Sequence, residues 1–246
     1  MLVSLTQRGA ETAYQVNLRS FSKILVVAPH ADDETLGAGG LIHRLVKAGS
    51  DVTVAVMTGR GGGSHPLFED EVFTRVRSEF DQAMGVLNVS RTVFADLPTT
   101  LLSETPVHLV NRAARDLVTD HKPDLVLLPF EHDLHRDHGI INYAFLVALR
   151  PHLADLRRPH LVASYEVPSE THLQAPYLRA GFEPQLWLDI SDSLSAKLEA
   201  LACFGSQIGP APGLRSLQTV EALARWRGAQ IGTQAAEAFV VLRQVI

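Results

Sequence analysis

The sequence predicts an α/β fold: a Rossmann-like, mostly parallel sheet with helices on both faces, plus an elaborated C-terminal part. Three observations carry that prediction. Short β-branched apolar runs alternate with longer stretches of helical spacing. The runs are apolar throughout rather than alternating, as in strands covered on both faces. The residues richest in chemistry follow the runs directly, at the carboxyl ends where open sheets of this kind take ligands.

The elements follow in order. Residues 24–29 read ILVVAP and end in a Pro-His turn, which predicts a buried strand. Residues 35–48 place Leu36, Leu41, Ile42, Leu45 and Val46 near helical spacing and stop at Gly49. A second strand is expected over 52–57, ending in a loop that carries Gly59, Arg60, Gly61, Gly62 and Gly63. Helix is expected over 71–87, a weak strand at Val93 and Phe94, and helix over 107–121. After the Lys122-Pro123-Asp124 turn come a strand over 125–129, a helix over 139–149 and a strand over 161–166. The last part predicts a strand over 186–190, a helix capped by Ser191 and running to about 204, a break at 209–213, a helix over 217–227 and a final strand over 238–245. Gly37, Gly39 and Gly40 lie inside the first helix at the wrong spacing for a dinucleotide fingerprint, and predict close helix–sheet packing.

A chain of 246 residues allows roughly one to two domains. No linker divides it, so one domain over 1–246 is expected, with a core over about 22–166 and an elaboration over about 167–246. Apolar residues at 46% and charged residues at 20% exclude a disordered chain. A net charge of −5 argues against a general nucleic-acid binder. No apolar run is long enough to span a bilayer, and the first twenty residues show no signal-peptide pattern, so a cytoplasmic location away from membranes is expected. There is one cysteine but eleven histidines. Any metal is therefore held by imidazole and carboxylate.

Two segments carry the chemistry. The first is Pro29-His30-Ala31-Asp32-Asp33-Glu34, after the first strand. If the turn curls back, His30 and Asp33 reach one ion while Asp32 stays close beside it. The same acidic residues also suit a helix N-terminus, so taken alone the segment reads equally well as a cap. The second is Glu131-His132-Asp133-Leu134-His135-Arg136-Asp137-His138, after the strand over 125–129. A solvated loop has no need of three imidazoles and two aspartates at that density, and metal or catalytic chemistry is the better reading.

Together, the PHxDDE segment and the HxDH segment about a hundred residues later resemble the PIG-L/LmbE-like family of zinc-dependent N-acetylglucosaminyl de-N-acetylases. The resemblance runs from about residue 22 to the end. Arg77 and Glu79 resemble the family's Arg-Glu helix, although Asn88 stands where a glycine is usual at that helix's end. Thr58-Gly59 resembles the family's glycine loop, and Arg227-Gly228 with Gly232 and residues 236–239 resemble a tail of bacterial members. The resemblance implies one Zn²⁺ per chain on His30, Asp33 and His138. It implies Asp32 as general base, with His135 as a second catalytic group kept cationic by Asp137. Zinc would polarise the amide and lower the pKa of a water, and a cationic His135 would serve the oxyanion or the leaving amine. Some members carry a tyrosine two residues before the equivalent of His135; here Asp133 stands there. Tyr143 and Tyr165 are the candidate substitutes.

Arg60 and Arg77 are the candidate substrate contacts. The expected function is removal of an N-acetyl group from an N-acetylglucosamine-type sugar or conjugate, a linear amide, with a small-molecule amino sugar as partner. A metal-dependent phosphoesterase and a non-catalytic sugar-binding protein of the same fold are the alternatives. Neither the sugar nor the oligomeric state, homo-oligomer included, is fixed by these residues.

Overall fold

The computed structural model describes residues 21–152, 158–175 and 177–245. The absence of a signal-peptide pattern expected for residues 1–20 concerns a segment outside them. The chain begins with β1 (Lys23–Ala28), α1 (Asp33–Lys47), β2 (Asp51–Gly59), α2 (Asp70–Val86), β3 (Arg91–Pro98) and α3 (Val107–His121). It continues with β4 (Leu125–Pro129), α4 (Arg136–Ala148), β5 (Leu161–Tyr165) and a short α5 (Pro168–Thr171). Then come β6 (Leu186–Asp189), a 3₁₀ turn at Ser191–Ser193, α6 (Leu194–Ala202), α7 (Leu217–Ala229) and β7 (Ala236–Gln244).

Among the described residues, seven strands form one sheet in the order β3-β2-β1-β4-β5-β7-β6. The first five strands pair in parallel, and β7 runs antiparallel between β5 and β6. The predicted mostly parallel α/β sheet is therefore the observed one, closed on one side by an antiparallel pair. The order reverses between β1 and β4. Strand-end loops part there and leave a crevice, and both chemistry-bearing segments leave the sheet at that point.

Why the runs are apolar throughout is visible in β1. Ile24, Val26 and Ala28 pack on one face with α1, α2 and α6, while Leu25 and Val27 pack on the other with α3 and α4. The α1 glycines pack as expected. A Cβ on Gly37 would lie 2.1 Å from Tyr165 Cδ2, and one on Gly40 would lie 2.7 Å from Ile190 Cδ1. Glycine lets the helix sit directly on β5 and on the turn after β6.

Some boundaries differ from expectation. Helix α4 starts at Arg136, three residues before the predicted 139, because His135 caps it: its Nδ1 accepts the Asp137 N–H at 3.2 Å. Gly139 does not begin the helix. Its missing Cβ leaves room for the Glu131 carbonyl, which would lie 2.8 Å away. The weak third strand is eight residues long. α5 was not predicted; four residues are too few for a periodic pattern. No helix of the described residues is long and apolar enough to cross a membrane.

Candidate active site and metal centre

The turn from β1 to α1 is tight and strained. Asp32 has φ of +152°, a region a non-glycine residue rarely adopts. The turn is held by backbone bonds from the Asp32 and Asp33 N–H groups to the His30 carbonyl, and by the His30 N–H donating to Asp33 Oδ2 at 2.9 Å. This curl brings His30 and Asp33 onto one point. Asp33 Oδ2 is 3.1 Å from His30 Nδ1 and 3.2 Å from His138 Nε2. Zinc bonds of about 2.0–2.2 Å in a tetrahedron place ligand atoms about 3.3–3.6 Å apart, close to these spacings.

His138 arrives in the first turn of α4. Its Nδ1 donates to Asp133 Oδ2 at 2.7 Å, and Asp133 Oδ1 accepts from Thr171 Oγ1 at 2.6 Å. This fixes the ring so that Nε2 faces Asp33. At 3.2 Å the pair is near enough for a hydrogen bond but not aligned for one, and Nε2 has no hydrogen-bond partner. With a neutral ring, two lone pairs face each other in a buried space, and a proton or a cation relieves that repulsion. Asp33 Oδ1 and Asp32 Oδ1 are also buried without a hydrogen bond. A carboxylate that aligns a histidine by its far nitrogen is a common partner of metal-binding imidazoles.

His30, His135 and His138 converge as well, with ring centroids of 4.4 Å between His30 and His135 and 5.6 Å between His135 and His138. One ring nitrogen from each lies within 4.8 Å of the others. Two donor sets are thus near one centre. In the His30, Asp33 and His138 set, Asp33 Oδ2 lies 3.1 and 3.2 Å from the two ring nitrogens, and in the other set His135 Nδ1 is already engaged by the cap. The residues fit a divalent cation: five carboxylates, those of Asp32, Asp33, Glu34, Asp133 and Asp137, are buried here, and Arg215 pairs with one of them, Asp32.

The electrostatics follow from that crowding. Burial opposes charge on His30, but hydrogen bonds to Asp137 and Asp33 outweigh it and raise its pKa to about 9. For His138 burial is likewise outweighed, by Asp33 and Asp133, and its pKa rises to about 10. Burial pushes Asp33 up, but the two imidazoles hold it well below the usual carboxylate range. Burial, with the Asp33 charge beside it, lifts Asp32 to about 7 against the opposing pull of Arg215. Glu34 rises to about 8, chiefly through burial; its Oε2 accepts the Asp32 N–H.

His135 departs from expectation. Burial and the neighbouring His30 lower its pKa to about 4. Its Nδ1 accepts the Asp137 backbone N–H, which leaves Nε2 as the protonated nitrogen of a neutral ring. The Asp137 carboxylate does not hold it. That carboxylate lies 3.1 Å from His30 Nε2 and accepts the Thr100 N–H at 2.7 Å. A side chain at the second helical position points away from its own cap, so closeness in sequence misleads here. Tyr143 is exposed on α4, and the Tyr165 hydroxyl donates to the Val27 carbonyl inside the core at 2.8 Å. Neither lines the site.

A cavity of about 570 Å³ opens beside these groups, and His30, Asp32, Thr100, His135 and Arg215 form part of its wall. Arg60 and Arg77 line it too, but each is engaged. Arg60 pairs with Asp70 at 3.2 Å, and the Arg77 guanidinium lies 3.5 Å from the Phe94 ring centre. Sequence reasoning missed Arg215, whose Nη1 donates to Asp32 Oδ2 at 2.8 Å and whose Nε donates to Ser169 Oγ at 3.0 Å. It missed the bond from Asp133 to His138 as well. The density of charge in residues 131–138 was a signal for Asp133; nothing around Arg215 was one.

The profile of the family described as GlcNAc-PI de-N-acetylase, PIG-L, matches residues 25–149. A diacetylchitobiose deacetylase of Thermococcus kodakarensis is 27% identical over 191 residues, 75% of this chain and 70% of the relative. A probable N-acetyl-alpha-D-glucosaminyl L-malate deacetylase 2 of Bacillus cereus is 29% identical over 195 residues, 75% of this chain and 83% of the relative. The solved structure of N,N'-diacetylchitobiose deacetylase from Pyrococcus horikoshii superposes with a TM-score of 0.74 at 21% identity, over 92% of this chain and 85% of that one. The family match spans β1 to the end of α4 and takes in both segments that build the site, and the chain belongs to the PIG-L family.

Proposed function

We propose that the protein is a zinc-dependent hydrolase that removes the N-acetyl group from an N-acetylglucosamine-type amino sugar or conjugate, releasing acetate and a free amine. The observation that carries this reading is the meeting of part-exposed His30 with buried Asp33 and His138 beside the unpartnered Asp32 Oδ1, on the wall of a substrate-sized cavity. His30, Asp33 and His138 would hold one Zn²⁺. When bound, zinc supplies Lewis acidity toward an amide carbonyl and lowers the pKa of a water.

The chain's own groups divide the remaining work. Arg215 holds Asp32 by Oδ2, so that Oδ1 is the oxygen left to accept a proton from the attacking water. The new bond joins the water oxygen to the acetyl carbon, the C–N bond breaks, and the proton passes from Asp32 to the departing amine. Neutral His135 presents Nε2–H to the developing oxyanion, as a donor rather than as a cation. Asp133 aligns His138 through Nδ1, and Asp137 aligns His30.

Purified protein loaded with zinc, offered N-acetylglucosamine and its conjugates and followed by amine release, tests the reading. Asp32→Asn and His138→Ala should each lower the rate by at least about a hundredfold. Full activity in either variant removes the site assignment, and an inert wild-type protein across the acetyl-amide panel removes the function.

A further inference from the structure

The cavity is divided in a way the deacetylase reading does not require. Beside the β1 and β4 strand ends two polar atoms are unsatisfied: Asp32 Oδ1, after β1, and Thr100 Oγ1, which comes from the segment after β3 and is drawn in by its N–H bond to Asp137, are buried without a hydrogen bond. From there the cavity extends past the end of β2 toward α2 and β3, where Phe68, Val72, Phe73, Val76 and Phe94 line it. Several of the polar groups on that side are engaged by neighbours. Arg60 pairs with Asp70, Arg77 covers the Phe94 ring, and Asp96 Oδ1 accepts the Arg60 and Gly61 N–H groups at 2.9 and 3.4 Å. The aromatic wall is also built in. His65 is buried, with its ring centre 5.2 Å from that of Phe68 and 5.4 Å from that of Phe73, and its Nε2 lies 2.9 Å from the Thr99 carbonyl. That bond ties the wall to the segment carrying Thr100.

We propose that the α2–β3 side of the cavity is a subsite for an apolar group, aryl or alkyl, carried by the amino-sugar substrate. This rests on the deacetylase reading for the sugar itself. Free hydroxyls belong at the strand ends, where unpaired acceptors wait. A second sugar ring laid on this apolar wall would set hydroxyls against phenylalanine and valine, and a buried hydroxyl without a partner is costly. An apolar group loses nothing there and leaves water favourably. Two attachments supply the same chemistry: an aglycone on the sugar's anomeric carbon, or an acyl chain longer than acetyl on its nitrogen.

Calorimetry on the zinc-loaded Asp32→Asn variant, in which hydrolysis is suppressed, tests this by binding alone. Phenyl β-glucosaminide should bind at least tenfold more tightly than glucosamine if the group is an aglycone. N-octanoylglucosamine should bind at least tenfold more tightly than N-acetylglucosamine if it is an acyl chain. Phe73→Ala should bring whichever ratio is large below threefold, while Phe73→Leu retains most of it, which separates loss of apolar contact from misfolding. Both ratios within twofold of unity overturn the proposal. So does a tighter grip on N,N'-diacetylchitobiose than on any apolar conjugate. If the wild-type protein hydrolyses no amide at all, the deacetylase reading fails, yet the binding ratios still decide the subsite.

Discussion

Asp133 offers the sharpest test of how the proposed metal centre is built. Its carboxylate is buried and accepts two short hydrogen bonds, 2.7 Å from His138 Nδ1 and 2.6 Å from Thr171 Oγ1. Asp133→Asn keeps the shape and removes the charge, leaving one amide oxygen for two donors. The lost bond to a charged ring is worth about 1.5–3 kcal/mol. Partners of this kind, when removed, typically lower metal affinity about 10–100-fold, or about 1.4–2.7 kcal/mol. The two routes agree, so zinc affinity should fall by that factor while the stoichiometry stays at one per chain. Competition against a chromophoric chelator at fixed pH and salt measures it. Thr171→Val, which removes only the second bond, should change the affinity less than about threefold. An Asp133→Asn dissociation constant within twofold of wild type would refute the claim that Asp133 sets the His138 ring for a metal.

Three more expectations follow from the geometry. His30 and His138, with pKa values of about 9 and about 10, carry protons at neutral pH that a metal must displace. Zinc affinity should therefore climb with pH and level off above about 10. The metal-free protein should show the opposite trend: stability from these raised groups is full below about 6.5 and fades as pH rises through 9 and 10. Zinc titrations and metal-free melting curves across that range check both signs. Gly37→Ala pushes a methyl against the Tyr165 ring and the Glu166 carbonyl, while the Tyr165 hydroxyl is held by Val27. About 3 kcal/mol should be lost, lowering Tm by about 6–12 °C, and a change under 1 °C would show that the ring yields freely. Glu166→Ala strands Arg227, whose Nε and Nη2 donate to the two carboxylate oxygens at 2.8 and 2.7 Å inside the core. The expected cost is about 3–5 kcal/mol by denaturant unfolding, partly recovered by adding Arg227→Met.

Much of the site was legible because it is local. The run over 24–29 and the run over 125–129 each announce a buried strand, and the residues after each must then meet at one sheet edge. That logic brings the two segments together; the choice of His30, Asp33 and His138 within them is what the family resemblance implies. What local reasoning could not see is direction and distance. Asp137 neighbours His135 in sequence, yet at the start of α4 its side chain turns to His30. Arg215 comes from a segment 183 residues away, with no pattern around it. Glu237 was expected outside the last strand. It lies within β7, where it accepts the Gly40 and Leu41 N–H groups and the Lys197 ammonium. A hydrophobic pattern finds strands; it says nothing about which buried carboxylate will reach back to which helix.

That last contact bears on how the protein is made. The helix that opens with the strained Asp32 turn is gripped along its middle by Glu237, and the turn itself is held by Arg215. A ribosome releases the β1 segment early, but these two holds exist only once nearly the whole chain has emerged. Contacts of such long sequence separation form slowly. Assembly of the Asp32 turn should therefore be among the last events of folding, and a nascent chain stalled before residue 215 should bind zinc weakly while already holding most of its parallel sheet.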